Sequence, residues 1–534
     1  MTRSQNSFLN MISGTLSSLL VIALSFVTRT VFIRTLGSSY LGIEGYFTNI
    51  LNMLSLANLG FDTAIVYKLY KPIEENDRHR IQLLMKLYRQ VYFVIGWVIA
   101  VLGLCLIPFL PRLVRDYDRF ASLGLNAVFI FLIYLFKNVS SYWIFAYKNS
   151  FIKATQKNYI LTVIGYVVSV VDCVVQIVIL AVKKNFLFYL FAQIFFVVLR
   201  NILNAIVCDH RHPYLKEKIP DRVSSAELKG MFSDCSATML HRISGTVLGS
   251  SDNIVLTAMI GLDAAGLYAN YLLVKNNLAS LLYTVINAAE ASLGSLHSTD
   301  HVEWSRLGFR VINFLSIWLF GVGAIGLAVL LDDFIALWAG PGYLVTSFTT
   351  AAGVTVSTPL ALLVGIEFYQ LGQVNYCRIF RNITGTFRQV KFRPVLSVVV
   401  NLAVSILLMP YLGIAACVVS TIVAYQTTYL LFDPQVICRS ALKMSPRDYF
   451  LINNLYRIVT VAAGLLSWWI CSVVSIAGIA GFIVHGCICV AVPSAVYALC
   501  FFKTTEFRFL LNTAKDLVFS RLHPGGKSIP PETP

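Results

Sequence analysis

The chain is 534 residues long, 57% hydrophobic and only 13% charged, about half the charged fraction of an ordinary soluble domain. A water-soluble protein of this length would fold as two or more domains with polar surfaces, and no segment supplies them. The net charge of +16 is read as membrane topology and contact with anionic lipid, with no nucleic-acid partner.

Runs of 18 or more mostly apolar residues recur from end to end, each bounded by short polar segments. This pattern predicts an all-α polytopic membrane protein of about fourteen transmembrane helices. The expected spans are 9–33, 40–66, 90–111, 120–146, 158–182, 186–208, 232–260, 264–291, 307–331, 344–370, 394–410, 412–433, 453–475 and 481–502. The first is too long for a signal-peptide core and lacks a small-residue cleavage site, so it is kept as structure. Spans eleven and twelve are divided at "MPYLG", where Pro410 and Gly413 are expected to break the helix.

Lysine and arginine counts set the expected orientation. With the N-terminus inside, the inner segments hold 29 of them and the outer segments 6. Both termini are therefore expected in the cytoplasm.

Polar residues follow helical spacing within several spans. In span two, Glu44, Thr48, Asn52, Ser55, Asn58 and Asp62 share a face; in span seven, Asp234, Thr238, Arg242, Gly245, Gly249 and Asp252 do so. Span eight adds Asn277, Ser280, Thr284 and Asn287, and span one offers Asn10, Ser17, Ser25 and Arg29. Such stripes are wasted against lipid and should face protein or water. Helix packing accounts equally well for their uncharged members, and Gly245-x-x-x-Gly249 alone reads as a close helix contact. The charges are harder to explain that way. Lys137, Asp172, Arg200, Arg242 and Lys275 lie too deep to reach a headgroup easily, which favours a water-filled cavity. Arg29 is about four residues from its helix end, so snorkelling explains it as well. The candidate substrate contacts are Arg29, Lys137, Arg200, Arg242, Lys275, Asn52 and Asn277; Glu44, Asp62, Asp172 and Asp252 are the ion-coupling candidates.

The chain also repeats itself. "ISGT" occurs at Ile12–Thr15 and at Ile243–Thr246, and the spacing of Gly37 and Gly42 returns in Gly261 and Gly266. "YLGI" at Tyr40 reappears at Tyr411. These markers suggest two parallel six-helix lobes, 1–208 and 232–433, joined by a cytoplasmic linker at 209–231. Two additional helices over 434–502 and a cytoplasmic tail at 503–534 complete the expected organisation. Parallel repeats with a site at their interface are a transporter architecture.

Other chemistries are excluded. The eleven cysteines are mostly scattered through spans, so no disulfide framework is expected. In "HGCICV" the candidate ligands His485, Cys487 and Cys489 do not converge on a helix, and no metal is expected. "PGGKS" lacks the upstream glycine of a phosphate-binding loop, having Arg521 there. No loop exceeds about 30 residues, which leaves no room for a soluble catalytic domain. The chain is read as a non-enzyme without a cofactor.

"RTLGSSYLGIEGYFTNILNMLSLANLGFDTAIVYKLY" (34–70) resembles the first hairpin of the bacterial polysaccharide transporters, the flippases for lipid-linked oligosaccharides. "RNITGTFRQVKFRPVLSVVVNLAVSILLMPYLGIAACVVSTIVA" (381–424) is similar to their basic loop and the helices after it, and "DDFIALWAG" (332–340) to the close of their ninth span. The resemblance implies twelve to fourteen helices in two lobes, a cationic central cavity lined mainly by spans 1, 2, 7 and 8, and alternating access. The implied substrate is a polyprenyl-diphosphate-linked oligosaccharide repeat unit for cell-surface polysaccharide, with membrane lipids around it. A polysaccharide polymerase is a partner that the resemblance allows, and the protein is expected to act as a monomer. Coupling to a proton or sodium gradient or to membrane potential is left open. The alternative is an ion-coupled multidrug or small-molecule exporter of the same superfamily, relying on Glu44, Asp62 and Asp172; a non-transport scaffold would need none of these charges.

Overall fold

Long apolar runs become helices because a helix pairs its own backbone N–H and C=O groups, which a bilayer cannot do for it. In the computed structural model, residues 3–55, 61–114, 117–217, 243–297, 302–349, 355–384, 386, 389–476 and 478–512 are described. They are almost entirely helical, with one short antiparallel pair, β1 (Ser347–Thr349) and β2 (Thr355–Ser357), in which Phe348 faces Val356.

The first helices are α1 (Arg3–Leu36), α2 (Ser38–Leu54), α3 (Phe61–Glu74), α4 (Arg78–Leu106), α5 (Ala127–Trp143), α6 (Ala146–Ala154), α7 (Asn158–Lys183) and α8 (Phe186–Arg211). A helix α9 over 243–259 is followed by α10 (Leu262–His297), α11 (Val302–Trp338) and α12 (Leu360–Ile383). The rest are α13 (Arg393–Leu412), α14 (Ala415–Ala424), α15 (Leu430–Val436), α16 (Pro446–Val473) and α17 (Gly478–Phe501). Two π-helical turns, Tyr425–Tyr429 and Ile437–Ala441, flank α15.

Several ends are set by single residues. The side chains of Asp77, Asn126 and Asn185 accept bonds from first-turn N–H groups of α4, α5 and α8, each worth about 1 kcal/mol. Gly37, between α1 and α2, has φ +90°, and Gly413, after α13, has φ +56°, values a side chain would resist. The division between spans eleven and twelve falls at Gly413: α13 runs through Pro410 to Leu412.

Among the described residues the expected spans largely coincide with these helices, with three corrections; parts of spans two, seven and ten (56–60, 232–242 and 350–354) lie outside those residues. Span four, placed at 120–146, is continuous helix only from Ala127 to Trp143 and bends by 45° into α6. Span two is not one helix among the described residues: α2 stops at Leu54, where the Ser55 hydroxyl bonds back to the Leu51 carbonyl and to Asn138. Span ten, placed at 344–370, begins instead as the β1–β2 pair, and its helix starts only at Leu360. Pro359 thus stands just before α12 rather than inside a span. A residue without an N–H fits there, because the first-turn N–H groups of a helix lack intrahelical partners anyway.

Among the described residues, nine helices are long and apolar enough to cross a bilayer, or ten if the pair α5–α6, bent by 45°, is one span. Helices α2, α3, α9, α10 and α12 fall outside that set; they carry much of the polar sequence. The others present large apolar side chains outward, as with Trp97 and Val101 on α4, Val174 on α7 and Trp468 on α16. These faces suit hydrocarbon, and the chain is a polytopic α-helical membrane protein.

Two compact units emerge from the contacts. The first comprises 1–281, 335–360 and 390–428. Its core is a continuous cluster in which Phe47 meets Tyr46, Phe120, Phe131 and Tyr134 at ring distances of 5.5–5.9 Å. Within it the N-terminal turns of α2 and α10 cross at backbone contact. A Cβ on Gly42 would lie 2.0 Å from the Leu262 carbonyl oxygen, and one on Gly266 would lie 2.1 Å from that of Ser38. Asp263 ties this crossing, accepting from Ser38, Ser39 and, at 3.0 Å, Arg119.

The second unit comprises 282–334, 361–389 and 429–534. Its aromatic core centres on Phe314, packed against Tyr456, Tyr497 and Phe501. Arg381 and Asp433 form a buried ion pair at 3.0 Å.

Candidate functional site

Polar groups buried in a bilayer-spanning bundle need partners or water, so they mark where a path or pocket lies. A cavity of about 430 Å³ opens within the first unit, inside the ordinary size range of ligand sites. Its walls bring Ser25, Thr28 and Arg29 from α1, Glu44, Thr48 and Asn49 from α2, Asp172 and Gln176 from α7, Tyr189 from α8, and Ala269 and Leu273 from α10. The spacing explains the assembly. Glu44 and Thr48 are one turn apart on α2, as are Asp172 and Gln176 on α7, so each pair faces the same way.

Glu44 is the hub. One carboxylate oxygen accepts from the Tyr189 hydroxyl and the Gln193 amide, both at 3.2 Å. The other lies 3.8 Å from Arg29 Nη1. Gln193 turns its own carbonyl to Lys137, whose ammonium donates to it. Arg29 also donates through Nε to Asn270 at 3.3 Å. Asp172 accepts from Gln176 at 2.6 Å one turn along α7. The side chains of Arg29 and Glu44 are 16% and 22% exposed, so the pair is sheltered but reachable from the cavity.

Arg29, Glu44 and Asp172 thus meet in one cavity, with Lys137 one hydrogen bond behind. Asn277 reaches its edge, donating to Ser25 at 3.3 Å. Lys275 is buried on α10, about 200° around the helix from Leu273 and Asn277, and does not line this cavity. Asn52 is exposed on α2 and Arg200 on α8, its stem passing Gly165 of α7; neither is among the cavity walls. Asp252 belongs to a separate buried network. Thr421 donates to its carboxylate at 3.1 Å, and Asn401 bonds Ser251, Ser420 and Thr421 at the same distance. Arg242 and the Asp62 side chain lie outside the described residues.

The sequence reading did not single out Gln176, Tyr189, Gln193 or Asn270. The signal was present. Tyr189 and Gln193 are four apart in the otherwise apolar first half of α8, 186–199, and a carboxamide buried there needs a partner.

Chemically, the site offers a guanidinium, an ammonium, a phenol and two carboxamides around a carboxylate. Arginine can give paired hydrogen bonds to an oxyanion, and lysine acts as a point charge. The arrangement can hold an anionic group, and its two carboxylates can also hold a cation.

The sequence matches a family profile described as polysaccharide biosynthesis protein over residues 7–289. No protein of curated function matches it. Among solved structures, the lipid II flippase MurJ in an inward closed conformation is similar, with a TM-score of 0.63 at 11% identity, over 91% of this chain and 98% of that one. A multidrug resistance MATE transporter of the MOP superfamily, facing inward, gives a TM-score of 0.51 at 14% identity, over 80% of this chain and 99% of that one. A Vibrio cholerae MATE transporter gives 0.52 at 14%, over 82% and 99%. At such identities the likeness speaks for the fold alone. The shared fold extends over 80–91% of this chain. The profile spans more than half of the sequence, and on that ground the chain belongs to the polysaccharide biosynthesis protein family.

Proposed function

We propose that the protein is a flippase that moves polyprenyl-diphosphate-linked oligosaccharide repeat units from the cytoplasmic to the outer leaflet, by alternating access through the cationic cavity. The observation that carries this reading is the convergence of Arg29 and Lys137 on one sheltered site. A diphosphate cannot cross hydrocarbon unaided, and such a site can hold it. Ser25, Thr48 and Asn49 on the walls can bond sugar hydroxyls without demanding one sugar, while the polyprenyl tail stays in lipid. Both termini are cytoplasmic in this reading, with membrane lipids around the chain and a polysaccharide polymerase downstream. Membrane potential supplies part of the driving force: moving about two negative charges outward across roughly 150 mV is worth about 7 kcal/mol. Asp62 and Asp252 remain candidates for coupling to a proton or sodium ion.

The test is where substrate stops in a deletion strain. Lipid-linked oligosaccharide is expected to accumulate in the cytoplasmic leaflet; an unchanged leaflet distribution would overturn the proposal.

A second reading, an ion-coupled exporter of small molecules, is favoured by the presence of Glu44 and Asp172 in the same cavity. The two readings separate by mutation. A flippase loses activity in Arg29→Ala, whereas a cation exporter keeps it there and loses it in Asp172→Asn.

A further inference from the structure

The cavity's donors are already occupied. Glu44 reaches from α2 into a ring formed by other helices: Arg29 from α1, Tyr189 and Gln193 from α8, and Lys137 from α5 behind Gln193. Its two oxygens are held unequally. One has two hydrogen bonds at 3.2 Å, and the other, among the described residues, has only the long ion pair at 3.8 Å. A carboxylate is a poor match for so many donors, because a phosphate offers more oxygens and more charge.

The local charge balance sharpens the point. Three cations, Arg29, Lys137 and the outlying Arg200, act on two carboxylates, Glu44 and Asp172, so the empty site carries only a small positive excess. Adding a diphosphate would leave an excess of negative charge in a sheltered place unless a carboxylate leaves. Glu44 holds the groups the diphosphate would use; Asp172 is held instead by Gln176 on its own helix.

We propose that Glu44 is an internal stand-in for the substrate's diphosphate: it occupies the Arg29–Tyr189–Gln193 donor set when the cavity is empty and is displaced when substrate binds. This rests on the flippase reading of the cavity and adds a role within it. Displacement weakens substrate binding, since the donors must first release Glu44. In exchange, the empty carrier leaves little cationic charge uncompensated and can reset without a bound ion. Glu44 thereby trades affinity for turnover.

The experiment is a split between binding and cycling with the purified full chain. Polyprenyl diphosphate in detergent micelles is the binding probe, with inorganic diphosphate as competitor, and vesicle flipping is measured in single and multiple turnovers. Glu44→Gln is expected to lower Kd at least ten-fold and to retain the first turnover while slowing steady flipping by a similar factor. Tyr189→Phe removes a donor from Glu44 and from the diphosphate alike, so it is expected to change Kd far less than Glu44→Gln does. Glu44→Asp keeps the charge, retracts it by one methylene, and serves where Gln perturbs folding; it should bind with intermediate affinity. Unchanged or weaker binding in a folded Glu44→Gln protein would overturn the stand-in role. Wild-type binding in both Arg29→Ala and Lys137→Ala would overturn the phosphate site itself, and that outcome does not depend on how Glu44 behaves.

Discussion

Arg29 uses different nitrogens for Glu44 and Asn270, which a lysine's single ammonium cannot reproduce in the same geometry. Hydrogen bonds to a charged group contribute about 1.5–3 kcal/mol, so Arg29→Ala is expected to reduce flipping roughly ten- to hundred-fold with the protein still in the membrane. Arg29→Lys should retain an intermediate rate. A transport assay normalised to membrane-embedded protein checks both, and wild-type flux in the alanine variant would remove Arg29 from the site. This residue could be suspected from sequence because an arginine in an apolar run is conspicuous. Its partners were less legible. Glu44 was visible as part of a stripe, but nothing local says that its carboxylate meets Tyr189, 145 residues away. The same limit applies to Lys275, whose depth was readable but whose face relative to the cavity depends on how α10 is rotated against α1.

At the level of elements, the contact between α2 and α10 carries the firmest expectation. Gly42→Ala puts a methyl within 2.0 Å of the Leu262 carbonyl oxygen, so the helices must part, at a cost of about 1–3 kcal/mol. Transport should fall, and a cysteine at the fully buried Leu41 should become reactive to a thiol probe in the Gly42→Ala background only. An unreactive Leu41→Cys there would mean the crossing yields without opening. Pro359 gives an expectation of the opposite kind. Because it precedes α12 instead of bending it, Pro359→Ala should leave flipping rates within about two-fold, in keeping with proline's tolerance at helix starts. Helix existence was legible throughout, since apolar runs of this length have few alternatives in a bilayer. Helix interruptions were not. Ser55 ends α2 through a bond to Asn138 on another helix, and β1 pairs with β2 inside what reads as one apolar run.

For the whole molecule, orientation is the first quantity to measure. The excess of lysine and arginine on one set of connections predicts that the segment from Arg378, at the end of α12, to Lys391 faces the cytoplasm. A cysteine replacing Phe392, which is 69% exposed, should resist a membrane-impermeant label added to intact cells and react after lysis. Strong labelling of intact cells would invert the topology and, with it, the direction of transport. The class of the molecule followed from composition because hydrocarbon imposes it on the sequence residue by residue. The way the chain divides into compact units did not, since each is assembled from non-contiguous segments whose meeting depends on contacts no local pattern encodes.

The glycine crossing described above has a further property. Gly42 stands to Gly266 as Ser38 stands to Leu262, by the same offset of 224 residues, and Gly37 stands to Gly261 likewise. Gly42 over Leu262 and Gly266 over Ser38 are therefore one contact made twice. That is the isologous geometry of a two-fold homodimer, written here within a single polypeptide. An approximate two-fold axis passes between the two turns, and the pair behaves as a single locus occupied by two residues. Of such a joint, either half alone has only one side of the fit.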